Sequence, residues 1–126
     1  AGNTPNTQIV FHDYAKAPLI FEVRGLPKSK ADQKNWGDAM DNYRGSRVGV
    51  IVQCEGGYVV IPSYSSATAF DKDGKEIKKW SGGGNHFGNF LDAVKQHKRE
   101  MLNAEVLEGH LSSALCHTGN VSYQLG

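Results

Sequence analysis

Long apolar runs, charge of one sign, cysteine and the familiar catalytic signatures are scarce or missing from these 126 residues, and each lack removes a class of function. No apolar run approaches the roughly 18 residues that span a bilayer, and no secretory leader is visible. The first residue is Ala1, which we read as a processed end or the edge of a piece of something longer. Fourteen Lys and Arg stand against thirteen Asp and Glu, a net charge of +1. Such a chain has no strong field with which to collect nucleic acid or an anionic membrane, and neither is expected as a partner. Two basic clusters, Lys75/Lys78/Lys79 and Lys95/Lys98/Arg99, read as a solvated hairpin and a solvated helix end. With only two cysteines a framework of bridges is excluded, and Cys54 and Cys116, far apart in apolar runs, are expected as buried, reduced thiols. Cytoplasm and periplasm both stay open as compartments.

Absent motifs narrow the chemistry further. There is no G-x-G-x-x-G after a strand and no P-loop Lys-Ser/Thr, and H-E-x-x-H, C-x-x-C and G-x-S-x-G are missing too. "SGGGNHFGNF" (81–90) lies between a strand and a helix, where backbone N–H groups can hold an anion. Without the motif's spacing or a following βαβ unit it reads as a flexible connector.

What is present is first strand, then helix. "TQIVFHDY" (7–14) and "PLIFEVRG" (18–25) alternate and predict an antiparallel hairpin. The polar stretch 25–47 lacks a period and predicts a long functional or neighbour-contacting excursion, with Trp36, Met40 and Tyr43 as a small apolar anchor. Val48–Cys54 and Tyr58–Ile61 flank Glu55-Gly56-Gly57, a hairpin signal, and Thr68–Phe70 and Lys75–Trp80 flank a turn at Lys72-Asp73-Gly74. After the glycines, Phe87, Phe90, Leu91 and Val94 take helical spacing behind Asn85 as N-cap, and Asn103 is positioned to cap a last helix running to about Tyr123. About six strands followed by two helices predict a single α+β domain over 1–126, an open antiparallel sheet with both helices on one face. The other face is then left to solvent or a partner.

The last helix carries the most suggestive side chains. Leu107, Leu111, Ala114 and Thr118, with Leu115 at the edge, form a stripe expected to face the sheet, with Glu105, Glu108 and Ser112 on the far side. Between them runs a shoulder that includes His110, Ser113, His117 and Asn120, uncharged and hydrogen-bonding. The two histidines are seven residues apart, roughly 10 Å along the axis, too far to share one metal ion. Cys116 and His117 are neighbours pointing about 100° apart, which is poor geometry for a nucleophile and its base. No metal site and no catalytic residue is therefore assigned. Polar packing at a domain boundary and a ligand-facing role for His110 or His117 both remain.

Elsewhere, His12 on a strand and His97 at a helix end read as structural, and His86 as a residue that could hold the glycine connector. Arg24 is able to clamp a carboxylate or phosphate. Tyr58 and Tyr64 with Ser63, Ser65 and Ser66 make a hydroxyl-rich patch suited equally to a sugar or to an ordinary sheet surface.

Several stretches in order, "NTPNTQ", "IFEVRGL", "GVIVQCEGGYVVIPSYSSATAFDKDGKEIK", "HFGNFLDAV", "LNAEVLEGHLSSALCHTGN" and "SYQLG", cover nearly the whole chain outside 27–45. In them the chain resembles the C-terminal part of the glucose–fructose oxidoreductase/inositol dehydrogenase/MocA (Gfo/Idh/MocA) family, especially bacterial members predicted to be sugar dehydrogenases. The resemblance implies a two-domain parent in which a nucleotide-binding domain holds NAD(P). It also implies that the present α+β domain shapes the sugar site and pairs with another subunit through its sheet. The family's glycine fingerprint, Glu-Lys-Pro motif and Asp…His helix do not occur in this chain, so the resemblance implies no cofactor held here and no activity by this chain alone. Arg24, Tyr64, His110, Ser113, His117 and Asn120 are the expected substrate-binding or domain-interface residues. Two other readings stay in view: a free-standing carbohydrate-binding or protein-interaction module, and a small cofactor-free enzyme using the histidines.

Overall fold

In a computed structural model the chain is described over residues 5–35 and 40–126. Six strands and two helices follow one another in the expected order: β1 Thr7–His12, β2 Leu19–Arg24, β3 Val50–Cys54, β4 Gly57–Ser63, β5 Ser66–Asp71, β6 Glu76–Ser81, α1 His86–Gln96 and α2 Val106–Leu125. Short 3-10 turns occupy Lys30–Asn35 and Arg99–Met101. The fold is α+β with antiparallel strands. The strands do not form one sheet, however: β1 and β2 pair as a hairpin, and β3-β4-β5-β6 form a separate meander. The physical reason lies in the 25–49 stretch that parts β2 from β3; among its described residues it holds the Lys30–Asn35 turn and the bridges Pro27–Met40 and Tyr43–Ser46. Of the apolar anchor expected there, Met40 is half-buried and Tyr43 is exposed, while Trp36 lies outside the described residues. Two compact units result, one of residues 1–23 and 84–126, the other of 24–83.

In the first unit, α1 begins where Asn85 Oδ1 accepts from the Gly88 N–H at 2.9 Å and ends where His97 turns left-handed at φ 52°. That capping satisfies backbone groups the helix leaves orphaned at each end. Asn103 does not cap α2. Its N–H donates instead to Asn89 Oδ1 at 3.0 Å, while the Asn89 amide donates to the Met101 carbonyl at 2.7 Å, fastening the interhelix turn to α1. Glu105 takes the capping role, its carboxylate accepting from the Leu107 N–H at 2.9 Å. A negative group suits that end of the helix dipole.

α2 meets β1 at Gly119, which is buried; a Cβ placed there would lie 2.7 Å from Val10 Cγ2. The face turned inward therefore centres on Leu115 and Gly119, and the expected stripe is displaced: Leu107 and Leu111 are 54% and 53% exposed. α1 departs from expectation in the same way. Ala93 is buried and Asn89 half-buried, whereas Phe87, Phe90, Leu91 and Val94 all stand more than half exposed. On β1, Gln8, Val10 and His12 turn inward and Ile9 and Phe11 outward. His12 Nε2 is buried without a hydrogen-bond partner among the described residues.

The second unit contains the four-stranded meander, with Tyr43 and Arg44 against one of its faces. Register pairs Gln53 with Tyr58 and Tyr58 with Phe70, so these three side chains share a face with the buried Val60. Asp71 Oδ1 accepts from the Asp73 and Lys75 N–H groups at 3.0 and 2.8 Å, which closes the β5–β6 turn. Alternation puts Val50, Val52, Val59, Ile61 and Trp80 on the opposite face. None of these is buried, and Val50 and Val52 are 53% and 45% exposed.

Val60 and Ala93 are the buried apolar residues among those described. The chain exposes 10267 Å², where two compact units of half its mass would together expose about 7,900 Å². Large apolar side chains such as Ile9, Val48, Phe87 and Leu125, each at least 72% exposed, contribute to the excess. The cysteines follow the same trend: Cys54 and Cys116 are both free and exposed rather than buried, because the strand end and the helix flank that carry them are open.

Candidate functional site

The six residues singled out by sequence divide between the two units. Asn120 is half-buried on α2, while His110, Ser113 and His117 line a shallow depression of about 650 Å³ along α2 with Gly109, Ala114 and Val121. Ser113 Oγ is occupied locally, donating to the Gly109 carbonyl at 2.8 Å. The lining is one helix flank of apolar, small and hydrogen-bonding groups, with Glu105 at its N-terminal end. Among the described residues, no group of three His, Cys, Asp or Glu side chains could hold a metal ion. No helix there is long and apolar enough to cross a membrane. Such a face can accept a packed surface or a hydrogen-bonding ligand; the Glu105 carboxylate in its lining is engaged by the Leu107 N–H and by Arg99 at 3.1 Å.

In the second unit Tyr64 stands fully exposed at the tip of the β4–β5 turn, where Ser63 Oγ and Ser66 Oγ are 2.6 Å apart. Tyr58 lies six residues back along β4, about 20 Å for an extended strand. The hydroxyl-rich patch is thus two places and not one.

Arg24 is held in a more elaborate setting. Its guanidinium donates to Asp41 Oδ2 at 2.6 Å, both side chains about one-third exposed. That bond, with the Asn42 N–H donating to Oδ1, holds the Asp41 carboxyl below its ordinary range. Arg24 also lies 5.7 Å from the centre of the Tyr43 ring. At the same distance is a second guanidinium, that of Arg44, whose Cζ in turn lies 3.6 Å over the centre of the Tyr58 ring. Tyr58 continues the stack onto Phe70, ring centres 5.0 Å apart. Gln53 Nε2 donates to the Tyr43 hydroxyl at 3.4 Å.

The local chain dictates this row. Tyr43 and Ser46 exchange backbone hydrogen bonds at 3.0 and 2.9 Å around Arg44 and Gly45, whose φ angles are 50° and 78°. Two central residues of positive φ make the tight turn that suits hairpin twist, and Gly45 takes its position without steric cost. Arg44 takes the other at some strain, offset by cation–π contact worth about 0.5–1 kcal/mol at an exposed site. The neighbouring Tyr43 hydroxyl pushes the Arg44 pKa up from an already high value, so the group is a fixed cation. Sequence reasoning missed Arg44, Asp41 and Gln53. The signal was the Tyr-Arg-Gly-Ser run at 43–46, a turn whose first central residue is an arginine rather than asparagine or glycine.

Compared with family models, with curated proteins and with solved structures, the chain matches none.

Proposed function

We propose that this chain is the substrate-binding and oligomerisation domain of an NAD(P)-dependent sugar or polyol dehydrogenase of the Gfo/Idh/MocA kind, incompetent for catalysis alone. The observation that carries the reading is the open apolar surface. The sheet face bearing Val50, Val52 and Trp80, the α1 stripe and the α2 flank together leave exposed what a self-sufficient domain would bury. On this reading the sheet face covers its twin in a second copy, and the α2 shoulder with His110, Ser113 and His117 meets a nucleotide-binding domain.

The residues present do not fit NAD(P) by themselves. Every described strand pair is antiparallel, so there is no βαβ crossover, and the glycines before α1 follow an antiparallel edge strand. When bound to its own domain the cofactor would accept or donate hydride. This chain's share is to shape and orient the sugar.

A free-standing carbohydrate module is the second reading, favoured by the row of exposed Tyr43 and Arg44 over half-buried Tyr58, which needs no other domain to present it.

Sedimentation velocity and a coupled NAD(P)H assay test the proposal together. The expected result is a dimer that Val52→Glu converts to monomer, and no sugar-dependent change in NAD(P)H absorbance. A chain that stays monomeric at high concentration contradicts the pairing, and turnover by the chain alone contradicts the assignment of chemistry to another domain.

A further inference from the structure

Two guanidinium groups flank the Tyr43 ring at 5.7 Å, and they differ in one respect. Arg24 is neutralised by Asp41 at 2.6 Å. Arg44 has aromatic neighbours and no carboxylate among the described residues. An exposed arginine without a counter-ion is common. This one is unusual in being held twice over, by a tight turn and by the Tyr58 ring, whose centre lies 3.6 Å from its Cζ. Arg44 is exposed, and a guanidinium carries five N–H donors, so beyond its tyrosine neighbours it still has donors with which to grip a carboxylate. Holding the fork in advance reduces the entropy lost on binding.

What surrounds the fork indicates the rest of the ligand. The Tyr43 hydroxyl accepts from Gln53 and so keeps its own proton to donate, and Gln53 is itself exposed on the edge strand β3. Tyr58 presents its hydroxyl toward the β5–β6 turn, 3.7 Å from where a Cβ on Gly74 would sit. One fixed cation beside neutral donors and acceptors on an aromatic floor matches a polyhydroxy compound with one carboxylate.

We propose that Arg44, with Tyr43, Gln53 and Tyr58, forms the acid-recognising end of the ligand site, so that the domain's ligand is a sugar acid, a uronate or aldonate, rather than a neutral sugar. This inference deepens the dehydrogenase-domain reading and rests on its sugar chemistry; it adds the ligand's charge and the residue that reads it. Arg24 is the positioning residue: locked to Asp41, it backs the other side of Tyr43 and sets that ring's place.

The test is a titration of the full ¹⁵N-labelled chain with glucuronate, glucose and acetate, followed by two-dimensional NMR. Glucuronate is expected to shift the resonances of Tyr43, Arg44 and Gln53 and to bind roughly tenfold more tightly than glucose or acetate. Arg44→Gln is expected to bring glucuronate down to the level of glucose. Arg44→Lys, which keeps the charge and the turn but loses the planar fork, should fall between them, and unchanged dispersion elsewhere in each spectrum reports an intact fold. Equal affinity for glucose and glucuronate would overturn the inference while leaving a sugar-binding domain standing. Equal affinity for acetate would overturn it by removing the sugar. Loss of neither binding nor shifts in Arg44→Gln, or the absence of any shift at these residues, would overturn it as well.

Discussion

Replacing Gly119 by alanine asks whether α2 truly seats on the β1–β2 hairpin. In an open helix the change would be favourable, since alanine is better than glycine there by about 0.8–1.0 kcal/mol. Here the new methyl would lie 2.7 Å from Val10 Cγ2 and 3.3 Å from Cγ1, well inside the 3.5–4.0 Å at which carbon atoms attract. Val10 is β-branched and half-buried in a strand, so its side chain has little freedom to rotate away. Overpacking of this kind costs about 1–3 kcal/mol, and the helix-propensity gain offsets part of it. The expected net effect is a destabilisation of up to about 2 kcal/mol. Urea unfolding with linear extrapolation measures it. Val10→Ala should cancel most of the penalty, so a double-mutant cycle should show the two positions strongly coupled. A Gly119→Ala chain more stable than the parent, with additive effects in the cycle, would refute the contact and with it the packing of the first unit.

Asn89→Ala removes the two hydrogen bonds that tie Met101 and Asn103 to α1 and should cost about 1–2 kcal/mol, read in the same unfolding assay. His110→Leu and His117→Leu, on the exposed shoulder of α2, should leave the isolated chain's stability within about 0.5 kcal/mol; a loss of several times that would mean the imidazoles have partners to forfeit. Asp41 has a lowered folded-state pKa, so its contribution is present above the ordinary Asp value of about 3.9 and disappears as pH falls through the lower folded value. Arg24→Gln should therefore abolish whatever part of the acid transition the parent chain shows in that window, as followed by Tyr43 chemical shifts between neutral pH and acid.

Most of the chain's local structure was legible before any coordinates. The hairpins followed from alternation and from glycine turns at 55–57 and 72–74, and α1 from its apolar spacing behind Asn85. Capping of α2 was misread because Asn103 and Glu105 both offer an oxygen ahead of the helix, and only the tertiary bond from Asn103 to Asn89 decides between them. The stripes of α1 and α2 were read correctly as apolar and wrongly as inward. Periodicity reports that a face wants cover and is silent on who supplies it. The same limit explains Cys54 and Cys116, whose apolar neighbours are themselves open. Of the candidate site, Arg24 was found by type alone. Its equivalence with Arg44 about the Tyr43 ring depends on a turn joining residues to a sheet strand more than ten positions away, which no local pattern encodes.

The heat capacity of unfolding tests the central claim most directly, because it scales with the apolar surface that folding hides. A chain of this length ordinarily gives about 1.5–1.9 kcal/mol/K. Its exposed 10267 Å² hides only about half of the roughly 19,900 Å² an unfolded chain presents, where a compact domain hides about two-thirds. Calorimetry on dilute, monomeric protein should return about 1.2 kcal/mol/K or less. A value in the ordinary range would mean that the chain already covers its own apolar faces and needs no second body to complete it.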